Sequence, residues 1–254
     1  MLKGKRVLIT GASRGLGAVC ARAFAEKGAR LALMSRSKNE LEEVIASCLS
    51  PDSHIAVPTD LLNIKELHHG AALAKDFLGG FDVVLHVAGG GLGLKDTLIN
   101  SDDLLKLFNL NVVAAVEINR LVAHDMIKRG KGNLVHVASI ASSEATGSVG
   151  YNTVKAAMAA YVRSLGNELM KSGVIVTGIL PGGFYAPGNA MQRLEKNNPD
   201  AYRRFIEERL PRKKMGMAEE LIPLILFLCS DAASMMGGCM VPIDAGEGKA
   251  YLQG

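Results

Sequence analysis

A tyrosine and a lysine four positions apart, Tyr151 and Lys155, form the pair in this chain with the clearest potential for chemistry. Residues at this spacing on a helix lie one above the other on the same face. A phenol has an ordinary pKa of about 10, but a cation within roughly 4–6 Å lowers that pKa. The pair is therefore a candidate general acid/base for moving a proton on or off a substrate oxygen. A surface helix with a solvated lysine is the alternative for the spacing alone.

The phosphate-binding candidate is a glycine-rich turn between a short apolar run and a helical pattern. The apolar run spans residues 6–10, the glycines lie within Gly11 to Gly17, and the helical pattern spans residues 18–27. Small residues let the backbone approach a pyrophosphate, and the free N–H groups of a helix N-terminus favour an anion. The spacing Gly-x-x-x-Gly-x-Gly differs from the usual dinucleotide fingerprint, but its context between a strand and a helix is the right one.

The end of the second predicted strand indicates which dinucleotide is bound. In dinucleotide-binding folds an acid at this point, about 20 residues past the glycines, selects NAD by bonding the ribose 2′-OH. This chain has Ser35 and Arg36 there instead. Arg36, together with Arg14 in the glycine turn, can clamp a 2′-phosphate. We therefore predict NADP(H), with NAD(H) and two simply solvated arginines as the alternative.

Strand-like and helix-like patterns alternate along the rest of the chain. Strands are predicted at 53–59, 81–88, 132–139 and 174–180, and helices at 38–49, 64–77, 101–129 and 152–171, with Asn109 and Asn111 interrupting the long third helix. This alternation favours an α/β fold, a single-domain, doubly wound parallel sheet of the Rossmann type with about seven strands and helices on both faces.

Length and composition exclude several classes of protein. A chain of 254 residues with 48% hydrophobic residues predicts one domain, residues 1–254, and its formal net charge of +4 is too small to indicate nucleic acid. The four cysteines lack metal-ligand spacing and suggest a reducing compartment, and no apolar run reaches the length of a membrane span. We therefore expect a cytoplasmic protein without a signal peptide, a membrane span or a metal site.

Several polar and glycine positions fall at the predicted carboxyl ends of strands, where ligands bind in open α/β sheets. They are Gly11, Asp60, Ala88-Gly89, Ser139 and Pro181-Gly182. Asp60 is a candidate acceptor for an adenine amino group. Ser139 precedes Tyr151 by twelve residues and can hydrogen-bond a substrate oxygen as charge develops. No Gly-x-Ser-x-Gly elbow surrounds Ser139, so a hydrolase nucleophile is not indicated.

Taken together, these motifs resemble the short-chain dehydrogenase/reductase family, in its single-domain branch of about 250 residues and, within it, the 3-oxoacyl-ACP reductases. The order and spacing of the glycine turn, Asp60, Ala88-Gly89, Asn111, Ser139, Tyr151-x-x-x-Lys155 and Pro181-Gly182 match those of the family, over nearly the whole chain. The resemblance implies cofactor contacts from Gly11, Ser13, Arg14, Gly15, Leu16, Gly17, Ser35, Arg36, Asp60, Leu61, Ala88, Gly89, Tyr151, Lys155, Pro181 and Gly182.

The resemblance also implies catalytic roles for four residues. Tyr151 would transfer the proton, Lys155 would lower the pKa of Tyr151 and bond the nicotinamide ribose, and Ser139 would orient the carbonyl. Asn111 would kink its helix and hold a water that links Lys155 to solvent. The hydride would come from the cofactor, while the protein supplies positioning and electrostatics.

Two departures from the family pattern affect the site. The family has Asn-Asn-Ala-Gly after the fourth strand, whereas this chain has His86, Val87, Ala88 and Gly89. We expect His86 to replace the lost asparagine bonds as a structural residue rather than to act in catalysis. A threonine that touches the nicotinamide amide in the family is replaced by Ala186, with Phe184 and nearby backbone as the candidates to compensate.

The region that shapes substrate choice in the family spans residues 182–217, and we call it the lid. It has eight basic and four acidic side chains. We interpret these charges as a solvated helical face; the alternative is a lid that attracts an anionic substrate such as an acyl-carrier or CoA thioester. The small residues of the helix after Lys155 and the family resemblance imply a homotetramer or homodimer, and the tail 247–254 would dock on a neighbouring subunit.

Three functions remain open at the level of the sequence. The first is NADP(H)-dependent reduction of a 3-oxoacyl thioester or a similar ketone. The second is oxidation or reduction of a sugar or polyol intermediate in surface-glycan synthesis. The third is a sensor that binds NADP(H) without catalysis, against which the presence of Ser139, Tyr151 and Lys155 weighs.

Overall fold

A seven-stranded parallel sheet forms the centre of the computed structural model, which describes residues 2–250. Its strand order is β3-β2-β1-β4-β5-β6-β9. The strands of the chain are β1 Arg6–Thr10, β2 Arg30–Ser35, β3 His54–Pro58, β4 Val83–His86, β5 Gly132–Val137, β6 Val174–Pro181, β7 Phe184–Tyr185, β8 Gly216–Met217 and β9 Met240–Ile243. From β1 the chain winds outward through β2 to β3 at one edge of the sheet. It then returns to β4 beside β1 and winds through β5 and β6 to β9 at the other edge. The doubly wound sheet predicted from the sequence is thus confirmed.

Helices cover both faces of this sheet. They are α1 Gly15–Glu26, α2 Lys38–Ala46, α3 Ile64–Leu78, α4 Ser101–Phe108, α5 Ala114–Arg129, α6 Val149–Leu169, α7 Ala190–Asn197, α8 Pro199–Arg209 and α9 Ile222–Leu228. Helices α1, α2 and α9 contribute side chains to the hydrophobic core on one face. Helices α3, α5 and α6 contribute to the core on the other face. The central strands are therefore buried on both sides, which explains their continuous apolar sequences.

The long predicted helix at 101–129 is the main difference in element boundaries. It consists of α4 and α5 joined by a π-helical segment at Asn109–Val113. The predicted interruption by Asn109 and Asn111 is therefore present as an inserted π turn within a continuous helical path. Such a turn is typical of functional sites in helices. Its side-chain cause is the pair of hydrogen bonds from Asn111 described below.

Smaller boundary shifts have local causes. Helix α6 begins at Val149, three residues before the predicted start. Strands β4 and β5 end at His86 and Val137, two residues before their predicted ends. The chain leaves the sheet at these points to form loops at its carboxyl edge. That edge holds the candidate site.

Candidate active site

The first turns of α6 bring Tyr151 and Lys155 together. The ammonium nitrogen of Lys155 lies over the Tyr151 ring, 5.6 Å from its centre. Ser139 follows β5 and hydrogen-bonds the Tyr151 side chain, and its hydroxyl also accepts a bond from the Ala141 backbone N–H, with an N···O distance of 3.2 Å. Three groups that were predicted from separate parts of the chain therefore meet at one point.

Lys155 is nearly inaccessible, with 5% of its surface exposed. Its ammonium group donates a hydrogen bond to the carbonyl oxygen of Val137 at 3.1 Å. Burial lowers the pKa of Lys155 to about 8, because a charged group is disfavoured away from water. This hydrogen bond thus anchors the Lys155 side chain to the backbone of β5.

The pKa of Tyr151 differs in direction from the sequence expectation, which had Lys155 lowering it. Burial raises the pKa of Tyr151, and the hydrogen bond with Ser139 only opposes that rise. The largest cause is burial of the phenol, while the Lys155 ammonium group is bonded to the Val137 carbonyl oxygen and lies 5.6 Å from the ring centre. In this structure Tyr151 is therefore a protonated phenol at neutral pH, which is the form that donates a proton.

Asn111 fastens the glycine loop that follows β4. Its side-chain nitrogen donates to the carbonyl oxygens of Leu107 at 2.9 Å and Gly90 at 3.0 Å, and its side-chain oxygen accepts from the Gly90 N–H at 2.9 Å. A methyl group on Gly89 would lie 2.7 Å from the Asn111 oxygen and 3.3 Å from the Lys155 nitrogen. The loop, the π turn and the lysine are thus in direct contact. The water relay implied for Asn111 stays a prediction.

The glycine turn after β1 forms a close-packed cradle. Gly11 has a positive φ of 66°, and a methyl group there would lie 2.7 Å from the Ala88 nitrogen. A methyl group on Gly17 would overlap the carbonyl oxygen of Gly11. No side chain among the described residues caps the N-terminus of α1, and no acid lies in its first turn. The turn therefore has the space and the N–H groups that a pyrophosphate requires.

The lid contacts this cradle directly. The Gly15 N–H donates to the carbonyl oxygen of Pro187, with an N···O distance of 2.9 Å. Leu16 is buried in the core under the turn, while Ser13 and Arg14 lie toward its outer side. The predicted phosphate contacts are therefore assembled next to the first residues of the lid.

The predicted adenosine side lies at the ends of β2 and β3. The hydroxyl of Ser35 is buried and has no hydrogen-bond partner within residues 2–250. Arg14 and Arg36 are exposed, and neither forms an ion pair with a described residue. The carboxylate of Asp60 accepts a bond from the Leu62 N–H at 3.0 Å. The orphaned hydroxyl, the two uncommitted cations and the glycine cradle fit a phosphorylated dinucleotide.

Asp60 and Leu61 frame this side from β3. Asp60 is partly exposed, and Leu61 is 6% exposed in the core cluster shared with α3. On the opposite side of the cleft, Pro181 and Gly182 end β6, and Gly182 donates a hydrogen bond to the Ile243 carbonyl oxygen at 3.4 Å. Ala186, which replaces the family threonine, is 1% exposed. It packs into the core and offers no side-chain hydrogen bond.

His86 lies in a buried polar network behind the site. Its Nε2 donates to the Asn119 side-chain oxygen at 2.8 Å, and its ring stacks on His136 with 4.6 Å between ring centres. Asn119 also donates to His136 Nε2 at 3.0 Å and to the Tyr161 hydroxyl at 3.1 Å. This geometry agrees with the prediction that His86 is a structural residue and not a catalytic one. The sequence contained no signal for its partners, Asn119, His136 and Tyr161.

Three of the eight basic side chains of the lid form ion pairs with described residues. Arg203 pairs with Asp200 on α8, and Arg212 pairs with Glu220 at 2.7 Å. These pairs agree with a solvated face. Arg209 differs, because it pairs at 2.7 Å with Glu247, whose side chain is 3% exposed. The sequence did not point to Glu247, which lies in the predicted tail; residues 251–254 of that tail lie outside the described part of the chain.

No group of three or more histidine, cysteine, aspartate or glutamate side chains in residues 2–250 is arranged to hold a metal ion. Within the same residues, no helix has both the length and the apolar character needed to cross a membrane.

Comparison with known proteins places this site in context. The family model for short chain dehydrogenase matches residues 5–197. The chain is 35% identical over 186 residues to the ketoacyl reductase HetN of Nostoc sp. (strain PCC 7120), and the match covers 71% of this chain but only 64% of that protein. It is 34% identical over 183 residues to an uncharacterized oxidoreductase of Staphylococcus aureus (strain USA300), covering 72% of this chain and 79% of that protein.

Solved structures extend the likeness to nearly the full length. Levodione reductase superposes with a TM-score of 0.89 at 25% identity, covering 97% of this chain and 98% of that one. L-Sorbose reductase from Gluconobacter frateurii, solved with NADPH and L-sorbose, superposes with a TM-score of 0.87 at 28% identity, covering 97% of both chains. The seven-stranded sheet and its surrounding helices therefore match those of two solved reductases.

Proposed function

The chain belongs to the short-chain dehydrogenase/reductase family, and on that premise we propose that it is an NADP(H)-dependent oxidoreductase that reduces a ketone carbonyl to an alcohol. The observation that supports this proposal is the meeting of Ser139, Tyr151 and Lys155 at the carboxyl edge of the sheet. The glycine cradle opens onto the same edge. A binding protein without catalysis would not need this arrangement of a hydroxyl, a phenol and a buried ammonium group.

The nicotinamide, when bound, supplies the hydride. The chain's own residues provide the rest of the proposed reaction. Ser139 donates a hydrogen bond to the substrate carbonyl oxygen and orients it. Tyr151 gives its phenolic proton to that oxygen as negative charge develops. Lys155 stabilises the phenolate that Tyr151 becomes, because its positive charge is held on the adjacent turn of the same helix.

The protonation state of Tyr151 supports the proposed reductive direction. Burial raises the pKa of Tyr151 and so favours the neutral phenol before the reaction. A neutral phenol is a proton donor, which reduction requires, whereas oxidation of an alcohol requires a phenolate as the base. Asn111 contributes by fixing the Gly89-Gly90 loop against Lys155.

The proposed preference for NADP(H) depends on the end of β2. Arg36 and Arg14 provide two cations for a 2′-phosphate, and the unpaired hydroxyl of Ser35 provides a further donor. The remaining contacts proposed for the cofactor are those of Gly11 to Gly17, Asp60, Leu61, Ala88, Gly89, Pro181 and Gly182. NAD(H) is the alternative cofactor.

A 3-oxoacyl thioester is the proposed substrate, and a sugar or polyol is the second candidate. The first is supported by the name of the relative HetN, a ketoacyl reductase, and by the excess of basic side chains on the lid. The second is supported by the likeness to L-sorbose reductase. The local pairing of Arg203 and Arg212 leaves fewer cations for an anionic carrier.

The proposal includes one domain over residues 1–254, a cytoplasmic location, and a homotetramer or homodimer. Ala156, Ala160 and Ser164 are exposed on one side of α6 and permit close packing against a second copy. Gly166, by contrast, is not available to a partner, because a methyl group there would overlap the backbone nitrogen of Gly238. Only part of the predicted small-residue surface therefore supports assembly.

The test is the loss of NADPH absorbance with a panel of acetoacetyl-CoA, simple ketones, quinones, L-sorbose and oxidised nucleotide sugars, with NADH run in parallel. We expect turnover of acetoacetyl-CoA with NADPH. Turnover of L-sorbose alone would replace the first candidate by the second. Tight NADPH binding without turnover of any compound would overturn both proposed substrate classes and leave either an unusual substrate or the sensor.

A further inference from the structure

A buried carboxylate links three segments around the substrate side of the cleft. The side chain of Glu247 is 3% exposed, and its Oε1 lies 2.7 Å from a guanidinium nitrogen of Arg209 at the end of α8. Its Oε2 accepts a hydrogen bond from the Gly183 backbone N–H at 2.5 Å. One side chain from the segment after β9 therefore holds both the lid helix and the loop that begins the lid.

Arg209 is held in place by more than this ion pair. Its guanidinium group lies 5.0 Å from the centre of the Phe205 ring, and it donates to the Thr146 carbonyl oxygen at 3.4 Å. Thr146 belongs to the loop between Ser139 and α6. Arg209 thus spans from the lid to the loop that presents the candidate catalytic serine.

The segment that includes Glu247 is itself fastened to the same serine loop. The carboxylate of Glu144 accepts bonds from the backbone N–H groups of Lys249 and Ala250, at 2.5 and 2.9 Å. The carboxylate of Asp244 accepts from Gly246 at 3.0 Å and from Gly248 at 2.9 Å. Residues 244–250 therefore form a strap that is bonded internally through Asp244 and attached to the serine loop through Glu144.

Space around Glu247 is tight on the side of Gly182 and Gly183. A methyl group on Gly182 would lie 2.7 Å from Glu247 Oε2, and one on Gly183 would lie 2.7 Å from the Phe205 ring. A shift of the carboxylate would therefore move the backbone of residues 182–183. That backbone follows Pro181 directly, at the edge where the substrate and the nicotinamide have to meet.

We propose that Glu247 is a positioning residue for the substrate cleft, acting through its ion pair with Arg209 and its hydrogen bond to Gly183 to hold the lid over Ser139 and Tyr151. The effect on catalysis rests on the proposed reductase function. Charge pairing is essential to this role, because a carboxylate this buried is stable only with a partner. Burial raises the pKa of Glu247, while Arg209 and the Gly183 N–H lower it.

The first test measures the lid itself and does not depend on any substrate. Hydrogen exchange of the full-length protein is followed by mass spectrometry for wild type, Glu247→Gln and Arg209→Met. We expect faster exchange in peptides covering residues 183–209, with unchanged exchange in peptides covering α2 and β3, residues 38–58. The matched control is Arg203→Met, because Arg203 pairs with Asp200 inside α8 and does not contact the strap. Unchanged exchange in both test variants would overturn the inference.

The second test measures the reaction, with acetoacetyl-CoA as the probe, or L-sorbose if wild type does not reduce the thioester. We expect KM for the probe to rise about tenfold in Glu247→Gln and Arg209→Met, with kcat changed less than about twofold, because the lid affects substrate binding more than proton transfer. Arg209→Lys keeps the positive charge, so we expect its KM to stay near that of wild type. The double variant should be no worse than either single variant, because both remove the same interaction.

The outcomes separate the inference from the proposed function. Equal loss in Arg203→Met, or an unchanged KM despite faster lid exchange, would overturn the positioning role. If wild type reduces neither probe, the proposed substrates fail while the exchange measurement still decides whether Glu247 holds the lid. Thermal unfolding of each variant shows how far the change spreads: we expect Glu247→Gln to unfold within a few degrees of wild type, and Arg209→Met to unfold at a clearly lower temperature because it leaves the buried Glu247 without its cation.

Discussion

The ammonium nitrogen of Lys155 lies 5.6 Å from the centre of the Tyr151 ring and is bonded to the Val137 carbonyl oxygen of β5. The lysine is therefore attached to the sheet, while the tyrosine one turn earlier on α6 faces the cleft. Because Lys155 is buried and its pKa is lowered to about 8, its charge is sensitive to its surroundings. Burial therefore affects the protonation of both groups: it raises the pKa of the Tyr151 phenol and lowers that of the Lys155 ammonium group.

Removing the Tyr151 hydroxyl tests the proposed role of Tyr151 as the proton donor. Tyr151→Phe should lower kcat by about 10²–10⁴-fold, because the general acid is lost while the ring remains. NADPH binding, measured by fluorescence titration, should change little. Tyr161→Phe on the same helix is the control, since its hydroxyl bonds Asn119 away from the cleft. Near wild-type turnover in Tyr151→Phe would show that another group donates the proton.

Reversing the charge of Arg36 tests the cofactor preference. Arg36→Asp should weaken NADPH binding by about 10–100-fold, the range expected when a hydrogen bond to a charged group is lost. Binding of NADH should be little affected, because it has no 2′-phosphate. Dissociation constants for both cofactors, measured at one salt concentration, check the prediction. Equal losses for the two cofactors would contradict the proposed 2′-phosphate site.

Crowding at Gly89 provides a test of the loop that contacts Lys155. Gly89→Ala should lower kcat by about 10–100-fold, because strain of about 1–3 kcal/mol would be relieved only by moving Asn111 or Lys155. Gly91→Ala is the control, since a methyl group there has only ordinary contacts, 3.7 Å or more from the Tyr151 ring. Steady-state kinetics of the two variants decide the point. Similar activities in both would show that the loop is free to adjust.

The buried histidines predict a loss of stability in mild acid. Burial lowers the pKa of His86 from 6.5 to about 4, and burial and the neighbouring His86 lower that of His136. The unfolded chain therefore binds protons below about pH 6.5, whereas folded His86 does so only near pH 4. The contribution of neutral His86 to the unfolding free energy is therefore fully present above about pH 6.5, and it is lost as the pH falls toward about 4. For His86 alone the loss is about 3 kcal/mol.

Denaturant unfolding across this pH range checks the prediction. His86→Asn should flatten the dependence of the unfolding free energy on pH, even if the variant is less stable at pH 7 because the His86 ring no longer stacks on His136. Lys155 also disfavours a positive charge on His136. An unchanged pH slope in the variant would mean that other groups cause the acid sensitivity.

Much of this protein could be predicted from local sequence patterns. The apolar runs of the strands and the alternation with helices are periodic signals, so they predicted the doubly wound sheet. Ser139, Tyr151 and Asn111 follow motifs with a set order, and the topology of parallel strands brings strand ends to one edge. The cofactor and catalytic roles of these residues remain predictions that follow from their placement.

Tertiary structure alone decided the rest, because burial and long-range pairing are not encoded in local periodicity. The direction of the Tyr151 pKa shift depends on how far folding buries the phenol. The bond between His86 and Asn119 joins residues 33 positions apart. Glu247 and Arg209 are ordinary charged residues in the sequence, and only folding places one of them in the interior against the other. The spacing of motifs in the sequence predicted the candidate catalytic groups. Tertiary packing determined which other residues hold them in place.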